Sequence, residues 1–268
     1  MEILLAGGSG RLIDGLIDKF RKEGHRVYIL TGTRYRKAPY KKVFEKYYFP
    51  YDSDVLKEIF DSVNPDVTIF LGAYDTNFMW NKKTEKEAVR FQAGMMNMLI
   101  AFSGMKKGRF IYLSSEEVYS GNYDEDIMED EPVTPTSAKA MAIAQGELLC
   151  RNYADNMGLD IVILRGDHIF NIPKNRAEVR DICSRMCLEA IQTGQLSVPV
   201  NDTFSMIHES DAIEFIFRVA NSRKHKYTTY NLSLSAPVSC DEMAEMISEY
   251  TETTVITGNS KDCRRSPH

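Results

Sequence analysis

No apolar run in this sequence approaches the roughly 20 residues that a membrane span needs. Its opening, MEILLAGGSG, has neither the positive segment nor the long apolar core of a secretory signal. Basic residues are in deficit. Lys and Arg number 33 against 38 Asp and Glu, and the net charge of −5 argues against a nucleic-acid partner. Cysteine is scarce and odd in number: Cys150, Cys183, Cys187, Cys240 and Cys263 are scattered, as expected of reduced thiols in a cytoplasmic protein. Cys183 and Cys187 stand four apart on an expected helix, a spacing that can hold a metal. No nearby His or second Cys pair completes a site, so they are read as packing and no metal is expected. Internal repeats and low-complexity linkers are lacking too. What remains is 43% hydrophobic and 26% charged over 268 residues, an ordinary globular composition with length for a large core.

The pattern that is present alternates short apolar runs with longer helical stretches. Strands are expected at residues 1–6, 25–30, 47–51, 66–71, 109–113 and 160–165, and helices at 11–23, 54–63, 84–105 and 137–156. This alternation predicts an α/β fold, a doubly wound parallel sheet with helices on both faces. Residues 1–165 form the first domain, and residues 166–257 a smaller C-terminal lobe interleaved with it. The lobe's expected elements are a helix at 177–193, strands at 196–200 and 230–232, and a helix at 240–250. Residues 258–268 read as a polar, disordered tail. Residues 74–83, holding the single tryptophan Trp80, read as a polar and aromatic loop; Met95, Met96, Met98 and Leu99 read as the sheet-packing face of the next helix.

Open α/β sheets bind ligands at the carboxyl edge of their strands. Gly7, Gly8, Ser9 and Gly10 follow the first strand and precede a helix, where backbone N–H groups can approach a phosphate; the same glycines suit a tight turn that binds nothing. Gly72 and Ala73 follow the fourth strand, small enough for a ligand to pass or for a turn. Ser114 and Ser115 end the fifth, followed by Glu116 and Glu117, which by themselves read as surface carboxylates at a strand end. Residues 122–131 are acidic and read as a solvated loop. His168 is an acid/base candidate, although a lone His is more often structural.

RFIYLSSEEVYSG at residues 109–121, followed by PTSAKAMAIAQGE at 135–147, resembles the strand and active-site helix of the extended short-chain dehydrogenase/reductases, the NAD-dependent epimerase/dehydratase family. The likeness runs through nearly all of residues 1–257. It implies a Rossmann-like fold, NAD or NADP as cofactor and a nucleotide sugar as substrate. It places Gly7, Gly10, Arg11 and Leu12 at the dinucleotide's phosphates, Thr31 and Arg34 at its adenosine ribose, Asp52 and Ser53 near adenine, and Gly72, Ala73 and Ser114 along its path. Thr31 stands where an acid would select NAD, and Arg34, Arg36 and Lys37 follow, so NADP is favoured; a solvated basic loop is the other reading. Ser115 aligns with the family's catalytic Ser or Thr, and Glu116 and Glu117 with the acid pair of the sugar-nucleotide 4,6-dehydratases.

Two departures sit at the centre of that resemblance. The family's Tyr-x-x-x-Lys pair, which supports hydride transfer, falls on Lys139 and Ile143, and no Tyr in the chain has Lys four residues later. The third glycine of the family's Gly-x-x-Gly-x-x-Gly turn is Ile13, which should push the helix outward or fill ligand space. In the family the helices at 84–105 and 137–156 pair into a four-helix interface, so the resemblance also implies a homodimer. Three readings stay open: a protein that binds a dinucleotide and a nucleotide sugar with little or no redox turnover, an active enzyme using Ser115, Glu116, Glu117 and Lys139, and a non-catalytic assembly or regulatory domain. Loss of the pair ranks the first ahead.

Overall fold

The computed structural model describes residues 1–7, 11–30, 43–44, 53–74, 80–105, 107–119, 127–173, 176, 179, 181–199, 203–226, 228–233 and 237–258. Gly10, Thr31, Arg34, Asp52, the strand expected at 47–51 and the tail at 259–268 lie outside the described residues. The chain divides into two units, Met1–Gly166 with Ile213–Leu232, and Asp167–Ala212 with Ser233–His268.

In the first unit the apolar runs become β1 (Glu2–Ala6), β2 (Arg26–Leu30), β3 (Val43–Phe44), β4 (Val67–Phe70), β5 (Arg109–Ser115) and β6 (Asp160–Gly166); β11 (Thr229–Leu232) joins them from late in the chain. Among the described residues these seven strands pair in parallel in the order β11-β6-β5-β4-β1-β2-β3. Parallel neighbours require crossovers: α1 (Arg11–Lys22) joins β1 to β2, α2 (Ser53–Val63) leads into β4, α3 (Trp80–Ser103) joins β4 to β5, and α4 (Ala138–Met157) joins β5 to β6.

The pleat sorts the side chains. Leu4, Ala6, Phe70, Phe110, Tyr112, Ile161 and Ile163 share one buried cluster with Phe60 of α2, Phe91, Met95 and Met98 of α3, and Ile143 and Cys150 of α4. The alternate residues Ile3, Leu5, Ile69, Ile111, Leu113, Val162 and Leu164 are equally buried and point to the opposite face. There α1 meets the part of α6 (Glu209–Asn221) that belongs to this unit, with Phe20 and Phe217 rings 5.4 Å apart and Lys19 Nζ 3.0 Å from Glu214. Helices on both faces leave the strand ends as the open edge. Each fully buried Leu or Phe contributes about 1.5–3 kcal/mol.

Two sequence expectations move. The helix expected from residue 84 starts at Trp80, and Lys83 (φ −146°, ψ 46°) interrupts it, which separates the first turn from the regular apolar periodicity. Trp80 is therefore helical and not in a loop; its ring lies 6.1 Å from Phe91, against the core. The helix expected from residue 177 starts at Ile182, because Asp181 caps it by accepting from Ser184 N–H at 2.8 Å.

The second unit contains β7 (His168–Phe170), β8 (Gln195–Pro199), β9 (Thr203–Phe204), β10 (Met206–His208), β12 (Val238–Ser239) and β13 (Thr254–Gly258), paired two by two. Over β8 pack α5 (Ile182–Thr193) and α7 (Cys240–Thr251), which bury Met186, Leu196, Val198, Cys240, Met243 and Ile247. Cys183 Sγ lies 3.3 Å from Met206 Sδ and 3.4 Å from Met243 Sδ, and burial pushes its thiol up to about 11. No described helix is long and apolar enough to cross a membrane.

Candidate active site

β5 delivers Ser115 to the sheet edge in extended conformation (φ −135°, ψ 152°), and a single 3-10 turn, Glu116–Val118, follows. Ser115 caps that turn. Its Oγ accepts from Glu117 N–H at 3.2 Å and donates to Glu116 Oε2 at 3.1 Å. Ser137 caps α4 by accepting from Ala140 N–H at 3.0 Å, which sets Lys139 in the first turn. Lys139 Nζ reaches Glu117 Oε1 as an ion pair. The structure thus brings Ser115, Glu116, Glu117 and Lys139 together, linked through Glu117.

Glu116 is the perturbed member. Burial raises its carboxyl from an ordinary 4.5 to about 7, and the negative charge of Glu117 adds to the rise. Bonds from its own backbone and from Ser115, with the Lys139 ammonium, oppose it. A carboxyl that titrates near neutrality can give or take a proton at working pH.

One turn beyond Lys139, Ile143 is fully buried in the apolar cluster, and its carbonyl accepts from Tyr112 O–H at 3.0 Å. The same cluster holds three aromatic rings, with Phe70 5.9 Å from Phe91 and 6.1 Å from Tyr112 between ring centroids. Burial raises the Tyr112 phenol well above its usual range.

The dinucleotide candidates divide. Gly7 has φ +72°, which favours glycine, and its N–H donates to Leu30 O at 3.2 Å. A Cβ on Gly7 would sit 3.0 Å from the Phe70 ring, and one on Gly72 only 2.6 Å from it. The Phe70 ring packs beside both glycines and leaves no room for a Cβ at either. Ala73 is buried in the same turn as Gly72. Leu12 is half-buried in α1, which begins at Arg11, and Ser53 is exposed at the start of α2. Ile13 is buried.

Ser114 precedes Ser115 at the end of β5. By the pleat it faces α4, is fully buried, and donates to Glu147 Oε1 at 2.6 Å. It belongs to a polar network that the sequence reading missed. Arg165 Nε and Nη2 donate to Glu147 at 2.9 and 2.7 Å, and Arg151 adds a bond at 3.0 Å. Arg165 also donates to Tyr119 Oη, which donates in turn to Asn231 Oδ1 at 3.0 Å. Asn231 N–H donates to Glu129 at 2.9 Å. The signal was present: Glu147 lies on the buried face of an Ala-rich helix, and Arg165 ends an apolar strand, so each needs the other. A cavity of about 810 Å³ opens beside this network, lined by Met128, Glu129, Arg151, Arg165, Lys226 and Thr229 among others; Ser115, Glu116, Glu117 and Lys139 do not line it. His168 is exposed on β7.

A family model, the NAD dependent epimerase/dehydratase family, matches residues 3–233. The chain is similar to dTDP-D-glucose 4,6-dehydratase of Dictyostelium discoideum, 28% identical over 145 residues, which are 47% of this chain and 32% of that protein. It is also similar to dTDP-glucose 4,6-dehydratase of Streptomyces niveus, 36% identical over 72 residues, 27% of this chain and 21% of the other. The matched stretches thus span a third or less of these relatives. UDP-glucose 4-epimerase of Thermotoga maritima, solved with UDP-glucose, superimposes with a TM-score of 0.82 at 17% identity, covering 99% of this chain and 89% of that one. dTDP-glucose 4,6-dehydratase of Bacillus anthracis, solved with NAD, gives 0.79 at 15% identity, covering 97% and 85%. At these identities the likeness concerns the fold.

Proposed function

The chain belongs to the NAD dependent epimerase/dehydratase family, and from that premise we propose that it binds a nucleotide sugar and a dinucleotide without hydride transfer between them. The observation that carries this reading is Ile143. Where the family pattern has a lysine, an alkyl side chain lies fully buried among apolar neighbours. Lys139 replaces the tyrosine and is tied to Glu117. Phe70 fills the space beside Gly72, and the Ser114 hydroxyl is committed to Glu147. These residues do not fit a hydride-carrying nicotinamide, and the active site is degenerate for redox work. Thr31 and Arg34 favour NADP over NAD as the bound dinucleotide. The described cysteines are free thiols, which suits a cytoplasmic location.

The test is thermal unfolding with NAD, NADH, NADP and NADPH, and with UDP-glucose and dTDP-glucose. Saturation at about 100 times Kd stabilises by about 2.7 kcal/mol. A shift with NADP or NADPH and with a nucleotide sugar is expected; no shift with any of the six contradicts the reading.

The reading includes a homodimer. Val89, Met96 and Ile100 of α3 and Met141 and Leu148 of α4 are exposed apolar residues, at spacings of seven and four. α3 and α4 lie side by side, joined by a Gln92–Gln145 hydrogen bond, so these residues form one stripe that a second copy would cover. Light scattering is expected to give a dimer for the wild type and a monomer for I100E/L148E; a monomeric wild type contradicts it.

A further inference from the structure

A fully buried ion pair stands beside open space. All four acceptor positions of the Glu147 carboxylate are filled. Ser114 Oγ and Arg165 Nε donate to Oε1 at 2.6 and 2.9 Å, and Arg165 Nη2 and Arg151 Nη2 donate to Oε2 at 2.7 and 3.0 Å. One carboxylate thus faces two guanidiniums, and Glu147 leaves one of their positive charges uncompensated. Arg165 is 1% exposed and also donates through Nη1 to Tyr119 Oη and to Glu129 O. Arg151 is 36% exposed, and its Nε and Nη1 donors meet no acceptor among the described residues.

Both arginines line the cavity of about 810 Å³, and Lys226 joins them. The other charges of the lining have the opposite sign: Glu129, Asp130 and Glu131 come from the segment that Asn231 N–H holds at 2.9 Å through Glu129 Oε1. A guanidinium only donates and an ionised carboxylate only accepts. A ligand that satisfies this lining brings an anionic acceptor to the basic side and hydroxyl donors to the acidic side. We propose that this cavity is a second ligand site, separate from Ser115, Glu116, Glu117 and Lys139, and that it takes a sugar phosphate, with the phosphate on Arg151 and Lys226 and the sugar hydroxyls on Glu129, Asp130 and Glu131.

The volume falls in the range of about 300–1,000 Å³ usual for small-molecule sites. The planar fork of Arg151 suits a phosphate, which can take two parallel bonds from it. Its position is set before the ligand arrives, because Glu147, itself held by Arg165 and Ser114, anchors one Nη2–H. Inorganic phosphate satisfies only the basic side of the lining, and a free sugar only the acidic side. The site is also remote from the candidate active site. Arg151 follows Lys139 by 12 residues on α4, about 18 Å along the helix. The proposal therefore stands whether or not a nucleotide sugar binds at the end of β5.

The experiment is calorimetric titration of the whole protein, in phosphate-free buffer, with glucose 1-phosphate, inorganic phosphate and glucose. One glucose 1-phosphate per chain is expected, with inorganic phosphate at least about 10-fold weaker and glucose weaker still. R151Q should weaken glucose 1-phosphate by about 10-fold or more, the low end for a hydrogen bond to a charged group, while unfolding cooperatively in urea. K226A alters an exposed side chain, so its fold is not at stake, and it should weaken binding as well. K139A tells the two sites apart and should leave this binding unchanged. Loss of binding in K139A with R151Q unchanged puts the ligand in the candidate active site and overturns the proposal. So do a lack of glucose 1-phosphate binding, inorganic phosphate binding as tightly as glucose 1-phosphate, or unchanged affinity in both R151Q and K226A.

Discussion

Replacing Glu116 by Gln should make the protein more stable as pH rises, and the size can be worked from its surroundings. The folded carboxyl titrates at about 7 against an ordinary 4.5. Below about pH 4.5 both folded and unfolded chains hold this proton, and burial costs nothing extra. Between the two values the unfolded chain has released the proton and the folded chain keeps it, so stability falls with pH. Above about 7 both have released it and the loss is complete. The displacement corresponds to about 3 kcal/mol, and water at a half-buried group reduces it toward about 1.5 kcal/mol. E116Q carries no such charge, and its amide can still accept from Ser115. Urea unfolding of wild type and E116Q from about pH 5 to about pH 8 isolates this group, because the other titrations are shared. The variant should gain about 1.5–3 kcal/mol on the wild type across that range. A difference that stays constant with pH refutes the raised titration, and with it the argument that Glu116 is poised as a base.

Other outcomes follow from the packing. E147Q leaves Arg165 charged and buried beside a neutral amide, and should cost about 3–5 kcal/mol in urea unfolding; R165M should cost less, because Glu147 keeps its bond from Arg151. I143K puts an ammonium among Phe91, Tyr112 and their neighbours and should cost about 3 kcal/mol or more; a loss under about 1 kcal/mol would mean that the position opens to water or ligand. G72A puts a methyl 2.6 Å from the Phe70 ring and should cost about 1–3 kcal/mol, with F70L/G72A recovering part of it.

Much of the first unit was legible in the sequence because its strands are short apolar runs bounded by polar or glycine signals. β1, β4, β5 and β6 fall where the periodicity put them, and α4 starts beside its capping Ser137. Residues whose place depends on distant partners were not legible. Trp80 reads as loop because polar residues follow it, yet Phe91 a few turns on gives it a core to pack against. Nothing near Ser114 announces the bond that its hydroxyl makes to Glu147, 33 residues later. Gly72 reads as small for a cofactor or for a turn, and nothing local announces the Phe70 ring packed beside it. At the candidate site, the grouping of Ser115, Glu116 and Glu117 was visible as adjacency. The Lys139 ion pair was not, since it depends on how α4 returns over the end of β5. The rise in Glu116 comes from burial, which no local pattern displays.

Whether hydride transfer is absent is read out in a single-turnover experiment. Purified protein in excess is mixed with NAD or NADP and with UDP-glucose or dTDP-glucose, while absorbance at ~340 nm and the sugar product are followed and binding is read by thermal shift. A thermal shift with the nucleotide sugar, no transient reduced nicotinamide and unchanged sugar are expected. A transient at that wavelength, or conversion of the sugar at its oxidised carbon, would show that hydride transfer proceeds with Lys139 and Ile143 in place, and would contradict the proposed function.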